Sequence, residues 1–90
     1  MPHPPEGMHW RVDSDYWCNN TYMLKVSLLH DKRRFFKEWD SNKVFFSDDP
    51  EENARAAIAL GKRIMVRWNA QRRSVNGLKG AVLGRGVVGE

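Results

Sequence analysis

Between Phe46 and Ala54 the apolar repeat of this chain changes from two residues to about 3.6, and that switch limits the fold more than any other feature. Upstream, in "TYMLKVSLLH", Tyr22, Leu24, Val26 and Leu28 alternate with Met23, Lys25, Ser27 and Leu29, the period of a half-buried strand. Downstream, Asp49 is a good N-cap, Pro50 suits the first helical position and Glu52 the capping-box position. Asp48, Glu51 and Glu52 place negative charge at the positive end of the helix dipole. At about 100° per residue, Ala54, Ala57, Ile58, Leu60, Gly61, Ile64, Met65 and Trp68 share one side. Arg55, Lys62, Arg63, Arg67, Asn69 and Arg73 take the other, and Val66 is the apolar exception. This spacing predicts an amphipathic helix of about 20 residues whose stripe must be covered. The large apolar surface available to it is a sheet.

The rest of that sheet is expected from short connections. "HDK" reads as a tight turn, "RRFFKEW" as a second strand, "DSN" as the next turn and "KVFF" as a short third strand. Connections this brief favour an antiparallel meander. Residues 1–20 read as an irregular arm: "PHPPEG" extended and mobile, "MHWRV" able to supply a short strand, "DSDYWCNN" turn-rich. Residues 74–90 are glycine-rich without a sustained period and read as a flexible tail, with "AVL" or "GVV" as candidate edge strands. The expected fold is α+β: a small antiparallel sheet of three strands, or four with the arm, packed on one long C-terminal amphipathic helix. The β-β-β-α domain spans residues 21–73 and both ends are flexible.

Ninety residues allow one domain at most, with a packed part near the lower size limit for unaided folding. An aromatic fraction of 11% supports a real core, because disordered chains are poor in such residues. Cys18 is the lone cysteine, so no internal disulfide staples the fold, which fits a reducing cytoplasm. Neither a membrane-length apolar run nor a signal-peptide pattern occurs in the sequence. A formal charge of +4 and a pI near 9.6 favour nucleic acid or an acidic protein surface as partner, though only weakly.

Chemistry finds little purchase. "GRGVVG" at Gly84 to Gly89 matches a dinucleotide-binding pattern by letter, but lacks a strand before it and a helix after it. His3, His9, His30 and Cys18 have no metal-ligand spacing. Ser14, Ser27, Ser41, Ser47 and Ser74 lie in no nucleophile context, and capping explains the carboxylates at Asp48 to Glu52. The expectation is a protein that is not an enzyme, with no cofactor and no metal.

The informative cluster is "HDKRRFFKEW". As a strand it offers two parities. One leaves Arg33, Phe35, Lys37 and Trp39 outside, beside Lys25, as a face that could press on phosphates and bases. The other turns Phe35 and Trp39 inward and leaves Arg34, Phe36 and Glu38 outside, hiding more apolar area. A second basic group, Lys62, Arg63, Arg67, Arg72 and Arg73, lines the helix's polar side and end. A solvated face with cations near the helix C-terminus accounts for it as readily.

"YMLKVSLLHDKRRFFKEW" followed by "FFSDDPEENARAAIAL" resembles the DNA-binding domains of the APETALA type and of integrase N-termini, three-stranded sheets backed by a helix. The resemblance spans residues 21–60 and rests on a basic-aromatic hairpin and a "D-x-x-E-x-A-x-x-A" helix entry. It implies a sheet face in the DNA major groove, with Lys25, Arg33 and Lys37 at the contact positions. The family's glycine- and arginine-rich opening is missing, and "WDSNKVFF" spaces the last strands differently. Small proteins of bacteriophages and other mobile elements, anti-CRISPR inhibitors among them, share this build.

Two functions follow as expectations. The first is a DNA- or other nucleic-acid-binding module using Lys25, Lys32, Arg33, Arg34, Lys37 and Trp39, with Arg67, Arg72 and Arg73 as auxiliary phosphate contacts. The second is an anti-CRISPR-like inhibitor that meets an acidic host protein through the same surface. Pairing of two copies through an open sheet edge is a third expectation.

Overall fold

A computed structural model describes residues 1–89, and the side chains of residues 1–83. Strand β1 (Met8–Cys18), strand β2 (Thr21–His30), strand β3 (Glu38–Phe45) and helix α1 (Pro50–Gly89) follow one another along the chain. The strands form one antiparallel sheet in the order β1-β2-β3, and α1 packs across β2 and β3. This is the α+β arrangement expected, but its strands are not all the expected ones.

The first correction concerns residues 1–20. Met8 to Cys18 is the longest strand, paired with β2 from Met8↔His30 to Cys18↔Thr21. Asp and Ser at alternate positions lower its β propensity, so pairing with β2 supplies what the local sequence lacks. A two-residue turn makes that pairing: Asn19 and Asn20 have φ of 49° and 61°, the left-handed pair that a tight hairpin needs and that Asn tolerates. The residues ahead of β1 are tied down as well. Met8 N–H donates to the Pro5 carbonyl at 3.1 Å, Asp31 N–H to Gly7 at 2.9 Å, and Trp10 Nε1–H to Pro2 at 2.8 Å. Met1 and Pro2 lie over Gly61, so that glycine admits the N-terminus to the helix backbone.

The second correction concerns Arg33 to Phe46. Residues 31–37 form the connection, and β3 runs straight through "DSN". A bulge between Leu28 and Leu29 pairs Leu28 with Asp40 and Leu29 with Glu38, which makes Trp39 the extra residue. Asp40, the first of the polar letters, is satisfied within the sheet and by the helix. Asp40 Oδ1 accepts from Ser41 N–H at 2.9 Å, and Asp40 Oδ2 takes Arg67 Nε at 2.6 Å.

The helix begins at Pro50 as its caps predict, with Asp49 Oδ1 accepting from Glu51 N–H at 3.0 Å. The capping box is rearranged: Ser47 Oγ donates to Glu52 and accepts from Asp49 N–H. Asn53 clasps Ser47 from both sides, its Oδ1 taking the Ser47 N–H at 2.7 Å and its Nδ2 donating to the Ser47 carbonyl at 2.9 Å. Ala57, Leu60 and Ile64 bury against Leu24, Val26, Leu28 and Met8, with Trp10, Trp39, Val44 and Trp68 partly buried around them. Burying each Leu, Ile or Val side chain contributes about 1.5–3 kcal/mol, which outweighs helix propensity here. Ile58 and Ala54, expected in the stripe, stay exposed, since the helix packs on β2, β3 and the Met8–Trp10 start of β1.

The third correction concerns residues 74–90. The helix does not stop near Arg73 but continues to Gly89, past the sheet, giving the molecule extents of 60 × 27 × 24 Å. No proline interrupts residues 51–89, and Val75, Leu78 and Val82 carry the apolar spacing onward. From Asn69 to Leu83 every side chain is exposed. The backbone of "GRGVVG" is the end of this helix; its side chains lie outside the described residues.

Candidate nucleic-acid interface

Strand register decides what the helix-free face of the sheet carries. Arg11, Asp13 and Asp15 of β1, Lys25 and Ser27 of β2, and Ser41 and Lys43 of β3 share it, with Glu38 opposite Leu29. Its charges cancel: three cations, Arg11, Lys25 and Lys43, against three carboxylates, Asp13, Asp15 and Glu38. Lys25 Nζ lies 3.3 Å from Glu38, Arg11 Nε 3.9 Å from Asp13, and Lys43 bonds Asp15. The Lys43 hydrogen bond and charge hold the Asp15 carboxyl below its ordinary value. Partial burial pushes Glu38 up, but the Lys25 ammonium and the Ser27 and Ser41 hydroxyls outweigh it and leave the carboxyl lowered. Ser27 is fully buried, and its Oγ meets no strict hydrogen-bond geometry although it lies beside that carboxylate. A neutral face of paired ions attracts phosphate poorly. Lys25, expected as a free contact, is engaged.

Of the nine Lys and Arg without an ion pair among the described residues, Lys62 and Arg63 stand on the exposed side of the helix's middle and the other seven lie toward one end of the molecule. The 31–37 loop is pinned by His30 N–H donating to the Lys37 carbonyl at 2.7 Å, and by His9 Nδ1 at 2.5 Å from Asp31. Between these pins Lys32, Arg33, Arg34 and Lys37 form no ion pair among the described residues. Phe35 and Phe36 are 75% and 89% exposed, and Phe36 has a φ of 53°. Neither strand parity applies here: both phenylalanines point to solvent because the segment is a loop. Trp39 lies on the helix side, against the core cluster, and so leaves the contact set.

The helix reaches the same end. Arg67 pairs with Asp40 and Trp68 stacks on Trp39, just past the loop, so the helical overhang leaves the sheet where the loop does. Arg72 sits 6.0 Å from the centre of the Trp68 ring. With Val75, Asn76 and Lys79 these residues line a shallow groove. Arg72, Arg73 and Lys79 have no ion-pair partner among the described residues, whereas Arg67 is held by Asp40. The nearby carboxylates Asp31, Glu38 and Asp40 are each engaged, by His9, Lys25 and Arg67. Asp48, Asp49, Glu51 and Glu52 stand at the opposite end, where the helix starts.

Lys79 is the candidate that sequence reasoning missed, because residues 74–90 read as a tail. A signal was present: between Asn53 and Gly89 the chain has eight Lys and Arg and no Asp or Glu. Among the described residues no three His, Cys, Asp or Glu side chains gather as a metal site needs, and no helix is long and apolar enough to cross a membrane. Comparison with family models, curated proteins and solved structures finds no match.

Proposed function

We propose that this protein binds nucleic acid, duplex DNA foremost, through the loop end of its sheet and the overhanging helix. The observation that carries the reading is the gathering of Lys32, Arg33, Arg34, Lys37, Arg72, Arg73 and Lys79 at one end, unpaired, while the sheet's open face is neutral. Free cations gain most from phosphate, since no internal ion pair has to break and condensed counterions are released. Phe35 and Phe36 add flat apolar surface on which unpaired bases can stack. The contact is electrostatic in the main and reads sequence weakly.

Fluorescence anisotropy of labelled duplex and single-stranded DNA tests this. Neutralising about six phosphates makes affinity fall on the order of a thousand-fold between about 50 and about 200 mM salt. Combined Arg33→Glu and Lys37→Glu substitutions abolish binding and leave the circular dichroism spectrum intact. No binding by wild-type protein at micromolar concentration and low salt ends the reading.

A second reading rests on Phe36, which a left-handed backbone holds almost wholly in solvent. Two displayed aromatics ringed by cations also suit an anchor on an acidic protein surface, as an inhibitor of a host complex requires. Phe36→Ala separates the two: it weakens a protein contact strongly and a duplex contact little.

A further inference from the structure

Among the exposed apolar surfaces of the described residues, two stand at opposite ends of the molecule and beside opposite charge. The first is the sheet-side stripe of the overhang, where Val75, Leu78 and Val82 are 43%, 64% and 54% exposed. Gly77, Gly80, Gly84 and Gly86 fall in this stretch, and each weakens a helix by about 1 kcal/mol relative to alanine. A glycine-rich helix of this length is marginal in water without a surface to lie on. The second surface is at the β1–β2 hairpin tip, on the helix side of the sheet. There α1 covers β2 and β3 but leaves β1 open. Tyr16 and Tyr22 meet edge to face at 5.6 Å and are 60% and 50% exposed. Tyr22 and Phe46 line a groove of about 580 Å³ with Ser14, Asn20 and Thr21.

We propose that the helical overhang of one copy docks in the hairpin-tip groove of a second copy, head to tail. Charge complementarity selects this occupant: Arg72 and Lys79 flank the overhang's stripe, with Arg73 one residue on, and Asp48, Asp49, Glu51 and Glu52 come soon after Phe46 in the chain. Pairing overhang with overhang would instead set the three cations against their own copies, with no carboxylate in the segment to offset them. A head-to-tail contact joins two different patches, so each added copy leaves one of each free and the assembly grows as an open chain. Patches this small place the contact at the low end for specific interfaces, where about 1,000 Å² in total is buried, so association is weak and salt-sensitive.

Sedimentation velocity on nucleic-acid-free protein tests this from about 10 to about 500 µM at low salt, a range suited to an interface of this size. The average mass rises with concentration past that of a dimer and falls back when salt is added. Tyr22→Asp removes the groove and Leu78→Asp the overhang stripe; both side chains are at least half exposed, so the fold persists. Each variant alone stays monomeric, and an equal mixture forms a dimer that grows no further, because each partner has a single intact end and the contact uses it. Three results overturn the proposal: wild-type protein monomeric throughout, a mixture that stays monomeric, or either variant assembling alone as well as wild type does.

Discussion

Trp39 and Trp68 pack edge to face, ring centroids 4.9 Å apart and planes inclined by 77°. One indole is the bulged residue of β3 and the other the last helix side chain that is not fully exposed before the overhang. The pair therefore fixes where the helix leaves the sheet, and with it the relative placement of the basic loop and the basic overhang. Trp68→Ala is expected to cost about 2–3 kcal/mol, less than a fully buried tryptophan, in urea denaturation. Trp39→Ala should cost similarly, and the double variant should fall short of additivity by about 0.5–1.5 kcal/mol, the worth of the ring pair.

Gly61 sits under Met1 and Pro2, and the atom nearest an added Cβ is the methionine sulphur at the end of a flexible side chain. Gly61→Ala is thus expected to stabilise, by up to about 1 kcal/mol, as helix propensity outweighs a small shift of the N-terminus. Thermal unfolding measures it; a lower midpoint would mean that the N-terminal contact is rigid.

Asp15 and Glu38 titrate below their ordinary values of 3.8 and 4.5. A depressed carboxyl gives stability that is complete above its unfolded-state value and is lost as pH falls through its folded-state value. The urea midpoint should hold steady from about pH 7 to about pH 5 and fall below about pH 4.5. Lys25→Met removes the partner of Glu38 and should flatten part of that acid limb. Both ion pairs are solvent-exposed enough that each contributes modestly.

Cations that are paired and cations that are free should differ in how they affect DNA binding. Arg33→Ala is expected to lower the steepness of the salt dependence by about one unit, because one phosphate then keeps its counterion. Lys43→Ala, which frees Asp15 on the neutral sheet face, should leave that slope unchanged and lower stability only slightly. Anisotropy titrations across salt compare the two; equal changes would return the contact to the sheet face.

What the sequence determined by itself is what neighbouring residues decide. Asp49 and Pro50 set the helix start, the 3.6 period from Ala57 to Trp68 set its buried side, and the alternation from Tyr22 to Leu29 set the central strand. Each depends on caps and periodicities a few residues long. "CNNT" held the first hairpin in plain letters, but the aspartates before it hid the strand. Only the tertiary structure decided strand partnership and where cations end up free. "RRFFKEW" looks like a strand and "DSN" like a turn, yet pairing with β2 reverses both, because a ladder's hydrogen bonds and an Asp40–Arg67 ion pair outweigh local preference. Lys25 looks like Lys37 along the chain. One meets Glu38 and the other stands in the loop, because strand pairing, a relation between distant residues, sets which charges become neighbours.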